Sequence, residues 1–170
     1  TMLDTAAVYG HGHNESMIGQ FISQRRSEFF LASKCGFGQQ PDSQPSINGR
    51  PEYIKATCEA SLKRLQTDHI DLYYLHRRDM NVPLEDSIGA LADLCQEGKI
   101  GAVGVSEISA ADLHKAHAEH PISAIQSEYS LWTRNVEIEV LEASQKIGAA
   151  FVAYSPLARG FSTNKLHDPS

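Results

Sequence analysis

A chain of 170 residues, 41% hydrophobic and 21% charged, has enough apolar material for one domain with its own core. A formal net charge of −6, with Lys and Arg interspersed among acids, argues against a nucleic-acid partner, which would call for a basic face. No apolar run nears the roughly 20 residues of a membrane span, no signal peptide opens the chain, and Cys35, Cys58 and Cys95 suit neither a disulfide framework nor a zinc knuckle, so a cytoplasmic protein without metal or membrane contact is expected.

In chain order, the short apolar run Met2-Leu3 is closed by Asp4 and followed by Thr5-Ala6-Ala7-Val8-Tyr9-Gly10. A strand end thus hands a carboxylate, then a phenol, to a Gly-flanked loop. Asn14 is placed to cap a helix with Met17, Ile18, Phe21 and Ile22 on one face. A buried strand over 29–33 ends at Lys34, and residues 35–50, rich in Gly, Gln, Pro and Ser, form a long loop. Pro51 opens a helix in which Ile54, Cys58, Leu62 and Leu65 recur at helical spacing.

A strand over 70–75 ends at His76, and a helix from Pro83 buries Leu84, Ile88, Leu91 and Leu94 or Cys95 before stopping at Gly98. The strand over 100–105 leads to Ser106, its glycines pointing to a close neighbour. Ser109 and Asp112 resemble a capping box for a helix through Leu113 and Ala116. A strand over 122–126 ends at Gln126; Asn135 is placed to cap a helix through Val140, Leu141 and Ile147 that Gly148 ends; a last strand over 149–154 ends at Tyr154.

Six strands alternating with five helices imply a parallel sheet under helical cover. Gly10-His11-Gly12-His13-Asn14-Glu15 lacks the third glycine of a dinucleotide-binding open sheet, and no Walker-type loop is present. A polar residue at the end of every strand fits a barrel, where all such ends share one mouth. His114, His117 and His120 lack acidic or Cys partners and read as a solvated face, while His11 and His13 line a loop. Trp132 either lines a substrate pocket or packs in the core.

Six motifs in order carry a resemblance: D-T-A-x-x-Y-G-x-G-x-N-E-x-x-I-G at 4–19, Lys34 at a strand end, D-L-Y-Y-L-H at 71–76, G-K-I-G-A-V-G-V-S at 98–106, Q-S-E-Y-S at 126–130 and Y-S-P-L-A-R-G at 154–160. Together they resemble the aldo-keto reductases, in a branch similar to plant and bacterial NADPH-dependent carbonyl reductases. The resemblance implies an α/β fold, the eight-stranded (β/α) TIM barrel. This chain would supply its second to seventh strands and five to six helices, as one partial domain over 1–170.

It also implies an NADP(H)-dependent oxidoreductase that reduces a small-molecule carbonyl, an aldehyde or ketone, to an alcohol. Asp4, Tyr9, Lys34 and His76 match the family's catalytic tetrad. Ser106, Gln126 and Tyr154 match nicotinamide-binding positions, with Asp4 beside them, and Ser155, Leu157, Arg159 and Gly160 fall in the loop along the cofactor's pyrophosphate. Glu107 stands where many members have Asn; ionised, it accepts hydrogen bonds without donating them. Ser-Glu together with Y-S-L-W-T-R at 129–134 is a feature of the same branch.

Tyr9 would then act as general acid, its pKa lowered by roughly 1 to 3 units by the Lys34 ammonium, with Asp4 orienting Lys34 and His76 bonding the same carbonyl oxygen. The alternatives are a catalytically inactive fragment, or a cofactor-binding regulatory subunit resembling potassium-channel β subunits. An open arc of six strands would leave two barrel edges through which copies could self-associate.

Overall fold

Short runs of Leu, Val, Ile, Tyr and Ala with little polar alternation become strands, the inner four largely covered on both faces and the first and last partly open, and the amphipathic stretches between them become helices on one side. The computed structural model describes residues 1–38 and 46–163. Its elements are β1 (Met2–Asp4), α1 (His13–Ile22), β2 (Phe30–Cys35), β3 (Phe37–Gly38), β4 (Ser46–Ile47), α2 (Pro51–Leu65), β5 (Leu72–Leu75), α3 (Leu84–Gln96), β6 (Val103–Ser106), α4 (Ala110–Glu119), β7 (Ile122–Glu128), α5 (Val140–Ile147) and β8 (Ala150–Tyr154). Six strands pair in parallel in the order β1-β2-β5-β6-β7-β8 and form a half-barrel.

The strand period of two divides the apolar residues between two layers. Leu31, Tyr73, Val105 and Ile125 pack outward with Ile22, Ile54, Leu65, Leu91 and Leu113. Their neighbours Ala32, Leu72, Tyr74 and Ala124 form a smaller inner cluster. Inside, Tyr74 lies over β6, where a Cβ on Gly104 would come within 2.4 Å of its ring. Gly104 is therefore the close approach that the glycines of this strand announced.

Helix ends follow the sequence at four points and depart from it at three. Pro51 opens α2, Gly98 and Gly148 follow α3 and α5 with φ of 72°, and the Ser109 hydroxyl accepts the Asp112 N–H at 3.1 Å. The capping box is not completed, because the Asp112 carboxylate pairs with Arg78. Asn135 lies in a 3-10 turn, Asn135–Glu137, and caps nothing; α5 begins only at Val140.

Nor does Asn14 cap α1, which begins at His13 behind Gly12 in the left-handed region. Its side-chain oxygen instead accepts the Thr5 hydroxyl at 2.6 Å. The buried face of α1 is Glu15, Gly19 and Ile22, with Ile18 packed against the core, whereas Met17 and Phe21 are exposed. Glu15, fully buried, accepts from the Ser33 hydroxyl at 2.6 Å and from Arg64 Nε at 2.7 Å, tying α1 to β2 and α2.

The long loop expected over 35–50 holds some order. Phe37 pairs with Ile47 and Gly38 with Ser46 in an antiparallel bridge of β3 and β4, while 39–45 lie outside the described residues. Asp79 secures the return of this loop by accepting the Gly49 N–H at 3.1 Å. Among the described residues no helix is long and apolar enough to cross a membrane.

Candidate active site

In a parallel sheet every strand points its carboxyl end the same way, so residues closing successive strands form one rim. Asp4 closes β1, Lys34 stands one residue before the end of β2, His76 follows β5, Ser106 closes β6, Gln126 lies opposite it in register on β7, and Tyr154 closes β8.

Lys34 is 1% exposed, and its ammonium pairs with Asp4 Oδ1 and donates to the Thr5 carbonyl at 2.8 Å. Burial lowers its pKa against the pull of Asp4, and Arg77 adds to the lowering. The other carboxylate oxygen of Asp4 accepts the Gln126 side-chain amide at 2.8 Å. A single carboxylate thus holds both a cation and an amide.

Tyr9 enters the rim from the turn after β1 and is 42% exposed. Its ring centroid lies 5.2 Å from Lys34 Nζ and 6.0 Å from the His76 ring, which it meets edge-on at 82°. The expectation that Lys34 depresses this phenol does not hold: burial, and then the Asp4 carboxylate, push its pKa above the ordinary 10, and Arg77 is what pulls it down. The Asp4 carboxylate, although paired with Lys34, still disfavours a second negative charge on the phenol.

His76 is 9% exposed, with the Phe37 ring against it at 4.9 Å and 89°. Burial, then Lys34 and Arg77, push its pKa down to about 3, so the imidazole is neutral near pH 7. A neutral imidazole keeps one N–H to donate and carries no charge of its own.

The rim continues along the next three strands. Ser106 is buried, and its hydroxyl accepts from Arg77 Nη1 at 3.1 Å. Glu107 has φ of 53°; its N–H donates to the Gln126 carbonyl at 3.1 Å and its carboxylate accepts the Glu128 N–H at 2.7 Å. Burial and a hydrogen bond to Glu107 raise the Tyr154 phenol. Beyond it, Ser155, Ala158 and Arg159 have φ of 51°, 48° and 55° and Gly160 of 95°, with Leu157 and Arg159 turned to solvent.

Trp132 is 73% exposed, which rules out the core. It lies 5.0 Å from Phe161, and the two line a 440 Å³ cleft with Glu128, Thr133, Ala158 and Arg159. His117 accepts the Ile122 N–H at 3.1 Å, a local bond that its spacing from His114 and His120 did not announce. Sequence reasoning passed over Arg77 and Phe37. The signal for Arg77 was a cation directly after a strand-end His; for Phe37 none was present.

The donor set suits a flat carboxamide. The Asp4 carboxylate can only accept, so Gln126 must turn its NH2 to it and keeps a carbonyl oxygen to offer. Beside it Ser106 brings a hydroxyl, and at the end of the next strand Tyr154 brings an aromatic ring.

Six parallel strands with helices on the outer side and a polar rim define the chain as half of a (β/α) barrel. Its sequence matches the model of the Aldo/keto reductase family over residues 1–170, and the chain belongs to that family. It is 44% identical over 166 residues to probable aldo-keto reductase 1 of Glycine max, covering 97% of this chain and 48% of that protein. The glycerol dehydrogenase of Gluconobacter oxydans superimposes with a TM-score of 0.93 at 32% identity, covering 99% of this chain and 53% of the other. An aldo/keto reductase of Klebsiella pneumoniae solved with NADP and acetate does so with a TM-score of 0.80 at 31% identity, covering 97% and 56%. The chain spans about half the length of the relatives it matches.

Proposed function

We propose that the protein carrying this chain is an NADP(H)-dependent oxidoreductase that reduces aldehydes or ketones to alcohols, with Tyr9 as the general acid. The observation that carries the reading is the meeting of Asp4, Tyr9, Lys34 and His76, from three separate stretches, at one rim. The Klebsiella pneumoniae relative solved with NADP supports the choice of cofactor.

Ser106 and Gln126 would hold the nicotinamide carboxamide, with Asp4 fixing Gln126, Tyr154 lying against the ring and Glu107 supporting Tyr154. Ser155, Leu157, Arg159 and Gly160 would follow the pyrophosphate, where left-handed backbone turns N–H groups toward anions and Arg159 adds a charge. When bound, the nicotinamide supplies the hydride.

The chain's own residues manage the proton and the oxygen. Tyr9, its pKa raised, holds its proton through neutral pH and can give it to the oxygen of the reduced carbonyl. Neutral His76 donates a hydrogen bond to the same oxygen, and buried Lys34, held by Asp4, puts positive charge near the developing anion. Residues 1–170 act as one partial barrel domain, and the unpaired outer sides of β1 and β8 are where further barrel strands or a second copy would pair.

The test is NADPH oxidation at 340 nm with a generic aldehyde in the complete polypeptide. Tyr9→Phe should lower turnover by about 10²- to 10⁴-fold while NADPH still binds. Undiminished turnover in Tyr9→Phe would remove the acid assignment; binding without turnover in the parent would favour the regulatory subunit, and no binding the inactive fragment.

A further inference from the structure

Arg77 belongs to none of the six motifs as a named site residue, yet its guanidinium joins two strand ends at the rim. Arg77 Nη1 donates to the His76 carbonyl at 2.7 Å and to the Ser106 hydroxyl oxygen at 3.1 Å. We infer that Arg77 is a positioning residue for the cofactor site: by occupying the Ser106 oxygen as acceptor, it leaves the Ser106 proton to be donated to the carboxamide oxygen of a nicotinamide. The inference rests on the function proposed above and adds a residue to it.

The direction follows from the chemistry of the groups. A guanidinium has five N–H donors and no acceptor, and it stays charged at every relevant pH. A serine hydroxyl can accept and donate, and its rotor settles according to its partners. Facing Arg77, Ser106 must accept. At 1% exposure it has no ready access to bulk water that would let the proton swing freely. Among the described residues Arg77 is the partner of this hydroxyl, so the proton is left for whatever sits at the rim.

The neighbouring strand completes the match. Ser106 and Gln126 are register partners on β6 and β7. Gln126 has its NH2 committed to Asp4 and a carbonyl oxygen to offer. A carboxamide presents one acceptor and one NH2 donor, so it needs one donor and one acceptor side by side. Arg77 sets the first as Asp4 sets the second. Its charge also reaches Tyr9, Lys34, His76 and Tyr154, lowering the pKa of each, as expected of a cation standing over the rim.

A purely structural Arg77, tying β5 to β6, would be felt differently from a positioning one. The experiment is a double-mutant cycle in the complete polypeptide with Arg77→Met, Ser106→Ala and the pair, reading the NADPH dissociation constant by fluorescence titration. Arg77→Met should weaken NADPH binding about five- to tenfold. The same change made on Ser106→Ala should add almost nothing, and Arg77→Lys, which also can only donate, should recover most of the loss. Unchanged binding in Arg77→Met, or an equal loss with Ser106 already removed, overturns the inference. If Arg77→Met fails to fold by circular dichroism, Arg77→Lys is compared with Arg77→Gln, and equal affinities for the two overturn it. A parent that binds no NADPH overturns the proposed function first, an outcome distinct from any result on Arg77.

Discussion

Gln126 donates its side-chain amide to Asp4 Oδ2 at 2.8 Å, although the two are 122 residues apart in sequence. In the sheet order β1-β2-β5-β6-β7 four strand spacings separate them. At about 4.8 Å per spacing a flat sheet would hold them roughly 19 Å apart, beyond the reach of the two side chains. The bond exists because the sheet curls, and the curl brings the carboxylate of the first strand to the amide of the fifth.

That carboxylate also neutralises a buried ammonium, which sets the first prediction. In Asp4→Asn, Lys34 keeps the Thr5 carbonyl but loses its counter-charge in a site with almost no solvent. Breaking a fully buried pair costs about 3 to 5 kcal/mol, and because the Asp4 side chain is 31% exposed a smaller loss, about 2 to 3 kcal/mol, is expected. Urea unfolding should show a lower midpoint at unchanged slope. A midpoint equal to that of the parent would show that water already solvates Lys34.

The second prediction concerns acid. His76 titrates near pH 3 in the folded chain against an ordinary 6.5. Between those values the unfolded chain binds a proton here that the folded chain does not, so stability is lost as pH falls from 6.5 toward 3. The slope from this group is at most about 1.4 kcal/mol per pH unit. His76→Gln should therefore lose less stability than the parent between pH 6.5 and 4.5. Parallel losses in the two proteins would mean that His76 is protonated in the folded state.

Much of this architecture can be read from the chain, because a parallel barrel repeats one local rule: an apolar run, a polar residue at its end, a helix. Asp4, Lys34, His76, Ser106 and Tyr154 stand at or next to strand ends as it requires, whereas β7 runs on to Glu128, two residues past Gln126, whose amide reaches the rim at Asp4. What could not be read depends on partners distant in sequence. Asn14 has the composition of a cap, yet the Thr5 hydroxyl takes its oxygen. Phe21 fits the helical period but faces solvent, since Gly19 rather than an apolar side chain meets α2. The Tyr9 pKa depends on burial and on the Asp4 and Arg77 charges around it, which spacing along the chain does not reveal.

Gly19 carries the third prediction. On an exposed helix, Gly→Ala stabilises by about 1 kcal/mol through propensity. Here the added Cβ would lie 2.3 Å from the Arg64 carbonyl oxygen and within 2.8 Å of the Leu65 backbone, and backbone cannot swing aside. The sign reverses, and Gly19→Ala should destabilise by about 3 kcal/mol as α1 is pushed off α2. Thermal unfolding decides it: a raised midpoint would mean that the two helices have room to part.

The fourth prediction follows the Tyr9 phenol. Burial first, then Asp4, hold its pKa above 10 in the cofactor-free protein, and Arg77 opposes them. Ionisation of Tyr9, followed by ultraviolet difference absorbance near 295 nm as the Tyr9→Phe difference, should therefore begin above the ordinary tyrosine range. Asp4→Asn removes the carboxylate that disfavours the phenolate and frees the Lys34 charge that favours it, so its titration should move to lower pH. Arg77→Met should move it the other way. A Tyr9 titration below pH 10 in the parent, or one indifferent to Asp4→Asn, would show that the Asp4 carboxylate does not hold the phenol in its protonated form.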